Sequence, residues 1–367
     1  MSINQLCGKR VLIRVDFNVP ISGKKILDDF RIRASLPIIQ KLLKIGSQVF
    51  LITHLEKDGL IPHLDQVAKH IQKTLDIPVR FLKGEITPHP RLFSERIIIF
   101  DNIRLNKGEK KNDMLFAKRL ARWGDYYIND AFAVCHREHA SVVGVPKFLP
   151  GETGPLVNKE IKELSRAFNP QTPFLFILGG KKFSTKEPLV AKFLKIADTI
   201  FIGGALANTF LYQRGLQIGK SVVDQNSIPK EILYHKNLLF PSDVVVLRAK
   251  RKIIVSINGV ELDDVIYDAG PKTLLSLSGL LKKSKFILWN GTLGLCEKGF
   301  CDGTKALAIA IGKSKAYSIV GGGDTVAAIR ELKLEKNFDF ISTGGGAMLE
   351  FLAKGTLPGI EAIKKRK

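Results

Sequence analysis

Short apolar runs rich in β-branched and aromatic residues alternate with longer amphipathic stretches from one end of the chain to the other. Apolar runs of about four to eight residues between turn signals are typical of strands buried on both faces, and the amphipathic stretches between them favour helices. The pattern therefore predicts an α/β protein built on parallel sheets.

The predicted strands form two series. The first lies at 11–15, 48–52, 97–100 and 126–128, and the second at 174–178, 199–202, 244–247, 286–288, 317–320 and 340–342. Helices are predicted at 32–45 and 114–123 within the first series. A stretch rich in proline and glycine, 144–154, and a helical segment, 157–168, lie between the series, which predicts a domain boundary there.

The chain has 367 residues, about twice the size of an average domain, so two domains with separate cores are expected. No apolar tract is long enough to span a bilayer, and the first residues lack the apolar core of a signal peptide. The four cysteines, Cys7, Cys135, Cys296 and Cys301, show neither a C-x-x-C pair nor a zinc-binding spacing. We therefore expect a cytoplasmic protein with free thiols and no membrane partner.

The chain is strongly basic, with 57 Lys and Arg against 35 Asp and Glu and a formal net charge of +22. This charge indicates anionic partners, either nucleic acid or phosphorylated small molecules. The basic residues are dispersed, apart from short clusters at 248–252 and 364–367, and no aromatic-interleaved RNA-binding signature accompanies them. A nucleic-acid-binding protein stays open as an alternative, although we expect any nucleic-acid contact to be non-specific.

Polar residues follow the strands of both series, where ligands bind in parallel sheets. Hydrogen-bonding and mostly cationic side chains follow the first series, which suits a small ligand with phosphate and carboxylate groups. These residues are Asp16, Asn18, His54, Lys57, Arg104, Asp130, His136, Arg137 and His139. Glycine turns follow the second series, at 179–180, 203–204, 290–291, 321–324 and 344–346.

Glycine turns allow backbone N–H groups to approach phosphates and leave room for a nucleotide base. Lys182 and Lys186 lie just after one of these turns, which favours phosphate contact. Asp324 follows three glycines and is either a helix cap or a magnesium ligand. A small anion in one half and a nucleotide in the other indicate phosphoryl transfer.

Other nucleotide motifs do not fit. The segment RGLQIGKS at 214–221 is similar to a Walker A loop, but Arg214 replaces its first glycine and no strand precedes it at the right distance. The chain contains no G-x-G-x-x-G motif, so the usual sequence argument for a dinucleotide dehydrogenase is missing.

Six motifs resemble the phosphoglycerate kinase family in order and spacing, over nearly the whole chain. They are VLIRVDFNVP (11–20), DAFAVCHREHAS (130–141), LGGKKFSTK (178–186), WNGTLGLCE (289–297), IVGGGDT (319–325) and STGGGAMLEFL (342–352). The resemblance implies two Rossmann-like α/β/α domains with a cleft between them that closes about a hinge. It implies an N-terminal domain 1–153, a connecting helix 154–170, a C-terminal domain 171–348 and a segment 349–367 that returns to the N-terminal domain.

The resemblance also implies a reaction and a set of site residues. The reaction is reversible transfer of the acyl phosphate of 1,3-bisphosphoglycerate to ADP, giving ATP and 3-phosphoglycerate, with Mg²⁺, by a monomer. The implied 3-phosphoglycerate site comprises Asp16, Asn18, Arg31, His54, Lys57, Arg104, His136 and Arg137. The implied nucleotide site comprises Gly180, Lys182, Lys186, Gly203, Gly204, Asn290, Glu297, Gly321, Gly322, Gly323, Asp324 and Thr325. The implied catalytic residues are Arg31, Lys182, Gly345 and Gly346, and Asp324 is the implied metal-linked residue.

The chain departs from the family pattern at several positions. The family's SHLGRP is THLEKD here, so Lys57 replaces a substrate-binding arginine and Glu56 replaces a glycine. Lysine lacks the bidentate fork of arginine, and the glutamate adds a negative charge. These changes raise a further alternative, a catalytically weak relative that binds nucleotide.

Overall fold

The computed structural model describes residues 3–23, 25–57, 59–87 and 93–365. The chain divides into an N-terminal unit, Met1–Lys162 with Thr356–Lys367, and a C-terminal unit, Glu163–Gly355. The chain passes from one unit to the other after Lys162, within the helix Pro155–Ser165, and returns after Gly355. None of the helices in the described ranges is long and apolar enough to cross a membrane.

The regular elements follow one another as the alternating pattern predicts. The strands are β1 (Arg10–Arg14), β2 (Ile21–Ser22), β3 (Lys25–Ile26), β4 (Gln48–Ile52), β5 (Val79–Leu82), β6 (Ile97–Phe100), β7 (Tyr126–Asn129), β8 (Gly151–Thr153), β9 (Phe174–Leu178), β10 (Thr199–Ile202), β11 (Leu238–Leu239), β12 (Asp243–Arg248), β13 (Arg251–Ser256), β14 (Val265–Ala269), β15 (Phe286–Asn290), β16 (Tyr317–Gly321) and β17 (Phe340–Ile341). The helices are α1 (Phe30–Lys44), α2 (Asp65–Leu75), α3 (Lys107–Lys110), α4 (Met114–Ala121), α5 (Pro155–Ser165), α6 (Glu187–Phe193), α7 (Gly204–Gln213), α8 (Lys230–Leu233), α9 (Pro271–Lys283), α10 (Asp302–Gly312), α11 (Gly323–Glu331), α12 (Gly346–Lys354) and α13 (Pro358–Lys364).

The N-terminal unit is built on a six-stranded parallel sheet with the strand order β5-β6-β4-β1-β7-β8. Successive residues of β1 point to opposite faces: Val11 and Ile13 pack with α1 and α2, whereas Leu12 packs with α4 and α13. Each such side chain contributes about 1.5–3 kcal/mol by leaving water. Both faces of the sheet are therefore apolar, which is why its strands are continuous apolar runs.

The C-terminal unit contains a second six-stranded parallel sheet, with the order β11-β10-β9-β15-β16-β17. Leu175 and Ile177 of β9 lie in a cluster with α9, α10 and α11. Phe176 points to the other face, where its ring lies 5.2 Å from the ring of Phe193 in α6. The prediction of parallel-sheet α/β domains is confirmed.

One predicted strand of the second series, 244–247, is not part of the parallel sheet. It belongs to β12, which pairs antiparallel with β13 and β14 in a separate three-stranded sheet. β12 turns into β13 through Ala249 and Lys250, whose φ angles of 48° and 63° are typical of a tight hairpin. The prediction that 244–247 continues the parallel series is wrong, because a short apolar run has the same pattern in either kind of sheet.

The cysteines also differ from the prediction. Cys296 and Cys301 form a disulfide, so the expectation of free thiols is wrong for this pair, whereas Cys7 and Cys135 are free. The chain between the bonded cysteines turns through Gly299, whose φ is 80°, and brings the two Cα atoms to 4.4 Å. The sequence spacing showed no known pairing motif, and the turn that closes this loop is a property of the fold.

We predict that protein purified without reductant and unfolded in guanidinium chloride will expose two thiols per chain to a thiol-specific chromogenic reagent. After reduction the same assay should count four thiols, because Cys296 and Cys301 are released. A variant with both Cys7→Ser and Cys135→Ser serves as the control and should give no signal before reduction. Four thiols in the unreduced wild type would contradict the disulfide.

Candidate active site

Hydrogen bonds join the loops at the carboxyl edge of the N-terminal sheet. The Phe17 N–H donates to Thr53 Oγ1 (2.9 Å), and the Ile103 N–H donates to the Thr53 carbonyl oxygen (3.1 Å). Asn102 Nδ2 donates to the Leu55 carbonyl oxygen (2.6 Å). The loops that follow β1, β4 and β6 are therefore held side by side, and so are the polar side chains that they carry.

Asp16 and Asn18, in the loop after β1, are in contact with Arg31 of α1. Arg31 Nη1 lies 2.8 Å from Asp16 Oδ2 and 3.3 Å from the Asn18 carbonyl oxygen. The Asn18 N–H donates to Asp16 Oδ1 (3.2 Å). Arg31 lies in the first turn of α1 and its side chain is 36% exposed, so the aspartate orients a guanidinium that can still receive an anion.

His54 is a buried, neutral histidine surrounded by positive charge. Arg14 Nη2 donates to His54 Nδ1 (3.2 Å). Burial is the main cause that lowers the pKa of His54 to about 2, and the charges of Arg14, Arg137, Arg31 and His139 lower it further. With Nδ1 accepting, the neutral ring presents Nε2–H as a donor and adds no charge of its own.

Arg14 belongs to this site although sequence reasoning missed it. It is the last residue of β1 and is 1% exposed. Arg14 Nε donates to Ser141 Oγ (3.0 Å), which in turn donates to Glu109 Oε1 (2.6 Å). Burial raises the pKa of Glu109, and the charge of Arg14 opposes this shift. The sequence signal for Arg14 was an arginine that directly follows the apolar residues of a predicted buried strand. Such a residue indicates a site, because a buried charge needs a counter-charge or a ligand.

Arg104 and Lys57 are both engaged by other groups of the N-terminal unit. Arg104 lies in the 3-10 turn Ile103–Leu105, its side chain is 4% exposed, and it forms an ion pair with Glu56. Lys57 Nζ donates to the Ile21 carbonyl oxygen (3.0 Å). The structure thus brings Arg104 together with a carboxylate and gives Lys57 a backbone partner.

His136 and Arg137 follow the 3-10 turn Phe132–Val134, which comes directly after β7. Both are half-buried, and Arg137 lies close enough to His54 for its charge to lower the pKa of the imidazole. Asp130, at the start of the same motif, accepts a hydrogen bond (2.7 Å) from the backbone at the beginning of α5. Burial raises the pKa of Asp130 to about 7. Asp130 thus has a structural role, and Arg137 adds to the positive charge around His54.

A cavity of about 450 Å³ lies in the C-terminal unit. Its walls come from α7, from β12 and β14, and from the turns that follow β9 and β15. Leu211, Val244 and Leu293 give it an apolar lining, while Glu297 and Asp324 contribute carboxylates. An apolar slot with a few polar groups is typical of a small-molecule site. Sequence reasoning missed the wall of β12 and β14, because it placed 244–247 in the parallel sheet and predicted no strand at β14.

Glycines make the close approach of these turns possible. Gly204 begins α7 with a φ of 61°, and a Cβ atom there would lie 2.8 Å from the Thr292 carbonyl oxygen. Gly180 has a φ of 126°, and a Cβ atom there would lie 2.7 Å from Lys186 Nζ. A Cβ atom at Gly203 would lie 2.6 Å from a leucine of the cavity wall. Because the neighbour of Gly204 is backbone, a larger residue there would force the turns apart, whereas the side chains beside Gly180 and Gly203 can move aside.

Lys182 and Lys186 differ in their surroundings. Lys182 is exposed, whereas Lys186 is half-buried beside Gly180, and burial lowers its pKa. An exposed lysine keeps its mobility, and a partly desolvated one interacts more strongly with an anion. The two ammonium groups suit different parts of a phosphate chain.

The turns after β15 and β16 are linked by side chains of the predicted nucleotide site. The Gly291 N–H donates to Thr325 Oγ1 (3.1 Å). Asn290 is buried, and its Nδ2 lies 3.7 Å from Met348 Sδ. Asp324 is exposed in the first turn of α11. Asn290 and Thr325 therefore hold the turns in place and leave the carboxylate of Asp324 accessible.

Two helices of this unit begin with glycines in left-handed conformations. Gly322, with a φ of 102°, precedes α11, and Gly345, with a φ of 52°, precedes α12 at Gly346. A Cβ atom at Gly323 or Gly345 would meet no atom within 4 Å, so these backbones are open to a ligand. Open N–H groups at a helix start favour phosphate.

A further glycine, Gly321, has a packing role. It is buried, and a Cβ atom there would lie 2.1 Å from Met348 Sδ in α12. This position therefore packs the turn after β16 against that helix.

A family model described as phosphoglycerate kinase matches residues 1–355. The chain belongs to the phosphoglycerate kinase family. It is 41% identical to the phosphoglycerate kinase of Dictyoglomus turgidum, with 98% of this chain and 97% of that protein covered. It resembles the solved phosphoglycerate kinase structures from Coxiella burnetii (37% identity, TM-score 0.83) and Pyrococcus horikoshii (29% identity, TM-score 0.86), each over 98% of this chain and 97% of the other. The resemblance drawn from the six motifs is confirmed.

The sequence left two alternatives to an active phosphoglycerate kinase open. The comparisons give no support to a nucleic-acid-binding protein or to a catalytically weak relative.

The Walker-like segment begins at Arg214, where α7 ends. Arg214 Nε donates to the Leu233 carbonyl oxygen (2.9 Å), and its guanidinium lies 4.3 Å from the centre of the Phe240 ring. Arg214 thus has a packing role.

We predict that His54 will not titrate between pH 5 and pH 8 in the ligand-free protein. Its pKa is lowered to about 2 by burial and by the surrounding cations, so the folded state carries a neutral imidazole throughout this range. The imidazole signals of wild type and His54→Gln, followed by NMR against pH, identify the residue and test this. A His54 signal with a midpoint between pH 6 and 7 would disprove the assignment.

Proposed function

We propose that this chain is an active phosphoglycerate kinase that transfers the acyl phosphate of 1,3-bisphosphoglycerate to ADP, giving ATP and 3-phosphoglycerate, and that it also runs in reverse. One observation carries the proposal: a chain of this family holds a group of desolvated cations at the carboxyl edge of its N-terminal sheet. The following paragraphs give the role that we propose for each group.

The acidic substrate binds to the N-terminal unit. We define the cationic cluster as Arg14, Arg31 and Arg137, whose charges act on neutral His54, together with Arg104, which is buried on the loop after β6. Several positive charges in a partly desolvated place attract a ligand with both phosphate and carboxylate groups, because charge interactions strengthen as water is excluded. Asn18, Lys57 and His136 add hydrogen-bond donors in the same proposal, and Asp16 orients Arg31.

The nucleotide binds to the C-terminal unit. The cavity of about 450 Å³ offers an apolar slot for the base behind Gly203 and Gly204, and Glu297 lines it as an acceptor for ribose hydroxyls. Lys182, Lys186 and the helix starts at 321–325 and 344–346 take the phosphates. Asn290 supports the turn on which these groups depend.

Mg²⁺ is assigned to Asp324. Across the described residues no group of three His, Cys, Asp or Glu side chains is placed to hold a metal ion. The exposed Asp324 carboxylate lines the nucleotide cavity and fits a metal held jointly with substrate phosphates, the usual arrangement for Mg²⁺. When bound, the ion would neutralise phosphate charge.

The transfer itself needs no general base. In the ATP-forming direction a β-phosphate oxygen of ADP attacks phosphorus, the bond from phosphorus to the acyl oxygen breaks, and the carboxylate leaves with the electron pair. Both the nucleophile and the carboxylate are ionised at neutral pH. The chain's task is to position the reactants and neutralise the transferring oxygens, which we assign to Arg31, Lys182 and the N–H groups of Gly345 and Gly346.

The remaining expectations belong to the same proposal. Family membership supports turnover in glycolysis or gluconeogenesis, and we propose with it a cytoplasmic location and a monomeric state. We also predict hinge closure, because the bound substrates must meet away from water before transfer.

Replacement of Arg31 or Lys182 by alanine should abolish most activity. We expect kcat for Mg²⁺-dependent ATP formation to fall on the order of a hundredfold or more in each variant, because each loses a charge on the transferring oxygens. A coupled spectrophotometric assay with 1,3-bisphosphoglycerate and ADP measures this. Arg33→Ala, in the same helix as Arg31, and Lys195→Ala, shortly after α6, each remove an exposed cation and should retain activity. Folded wild-type protein without turnover would refute the kinase proposal.

Gly204→Ala should weaken ADP binding, and Gly215→Ala should not. Both glycines have positive φ, so each substitution costs about 1 kcal/mol of stability in backbone strain. Only at Gly204 would the new Cβ atom meet a neighbour, the Thr292 carbonyl oxygen at 2.8 Å, and displace the cavity wall. Calorimetric titration with ADP, together with thermal unfolding, separates the two effects. Equal ADP affinities in both variants would remove Gly204 from the nucleotide site.

A further inference from the structure

Glu56 forms an ion pair with Arg104, a member of the cationic cluster. The side chain of Arg104 is 4% exposed and that of Glu56 is 35% exposed, so the carboxylate reaches a buried guanidinium from the solvent side. Among the described residues, no acceptor lies within hydrogen-bond distance of Arg104 Nε. Glu56 is therefore an anion that Arg104 holds within the fold itself.

The backbone of Glu56 also uses a residue of the predicted substrate site. Its N–H donates to Asn18 Oδ1 (3.0 Å). Asn102 accepts a hydrogen bond from the Arg104 N–H through its side-chain oxygen. Its Nδ2 donates to the carbonyl oxygen of Leu55, the residue before Glu56 (2.6 Å). The loop after β4 and the loop after β6 are thus fixed in the register that brings Glu56 to Arg104.

We propose that Glu56 is a built-in competitor for Arg104, and that an acidic substrate must displace its carboxylate to gain this arginine. The inference rests on the proposed function, because it takes the cationic cluster as the site for 3-phosphoglycerate. Glu56 thereby sets the affinity for the acidic substrate and is not a catalytic residue.

The electrostatic argument gives the direction of the effect. A guanidinium that is removed from water interacts strongly with the anion it holds, and this pair has to be broken before a ligand oxygen can take its place. The neighbouring Lys57 does not relieve this competition by engaging the carboxylate, since its Nζ is bound to the Ile21 carbonyl oxygen (3.0 Å). Removal of the negative charge at position 56 should therefore tighten ligand binding.

A purely structural ion pair is the competing interpretation. Such a pair would stabilise the loops, and its loss would weaken the fold and leave ligand affinity unchanged or lower. A competitor gives the opposite sign for affinity. The sign of the change in Kd therefore separates the two interpretations.

The test compares Glu56→Gln and Glu56→Ala with wild type by calorimetric titration. Two probes are used separately, 3-phosphoglycerate and inorganic sulfate. We expect Kd for 3-phosphoglycerate to fall about tenfold in Glu56→Gln, because the variant loses the charged competitor for Arg104. The Kd for sulfate should fall as well. KM for ATP and kcat at saturation should stay unchanged. Glu335→Gln removes an equally negative, exposed side chain from the C-terminal unit and should leave both Kd values unchanged.

A second comparison tests whether Arg104 carries the effect. On an Arg104→Ala background, with folding checked by circular dichroism, Glu56→Gln should produce no gain in affinity. A gain that persists there would mean a general charge effect and would overturn the proposal. Unchanged or weaker binding of both probes in Glu56→Gln and Glu56→Ala would overturn it as well.

The sulfate arm separates this inference from the proposed function. Wild type that binds sulfate but not 3-phosphoglycerate, with tighter sulfate binding in Glu56→Gln, would contradict the kinase assignment and support the competitor. Wild type that turns over normally, with no change in either variant, would leave the kinase assignment intact and reject the competitor.

Discussion

Burial of both faces of each parallel sheet is the constraint on which the rest of the structure depends. Strands such as β1 alternate their side chains between two apolar clusters, so the sheet interior has little room for polar groups. Polar and charged residues are therefore concentrated where strands end and the backbone turns. The loops after β1, β4 and β6 are tied together through Thr53 and Asn102. This arrangement converts dispersed sequence positions into a single site.

The positive charges of the N-terminal site are partly compensated by neighbouring groups. Arg14 is buried, and Ser141 links it by hydrogen bonds to the carboxyl group of Glu109. His54 is neutral. Arg31 is paired with Asp16. Without such partners the desolvation of several cations would cost more than the fold can offset. Only part of the positive charge is compensated by these groups, which is the observation from which we propose an acidic ligand. The same reasoning explains why Arg104 is found with a carboxylate.

The C-terminal site depends on close packing of backbone. Gly204 allows the start of α7 to approach the turn after β15 within a distance that a Cβ atom would prevent, and Gly180 and Gly203 leave room for the side chains of Lys186 and Leu293. The separate sheet of β12, β13 and β14 then supplies an apolar wall, and the cavity between these parts has the size of a small-molecule site. Glycine content in the sequence indicated the turns, but the wall comes from residues with no distinctive pattern.

The sequence by itself determined the α/β class, the two strand series and the residues at strand ends, because alternation of apolar runs and the chemistry of side chains after them are local properties. The family followed from six motifs for the same reason. Only the tertiary structure shows that 244–247 lies in an antiparallel sheet, that Cys296 bonds Cys301, that Arg14 contacts His54 and that Glu56 pairs with Arg104. Each of these depends on which distant segments meet, and a chain's local pattern does not specify its partners in space.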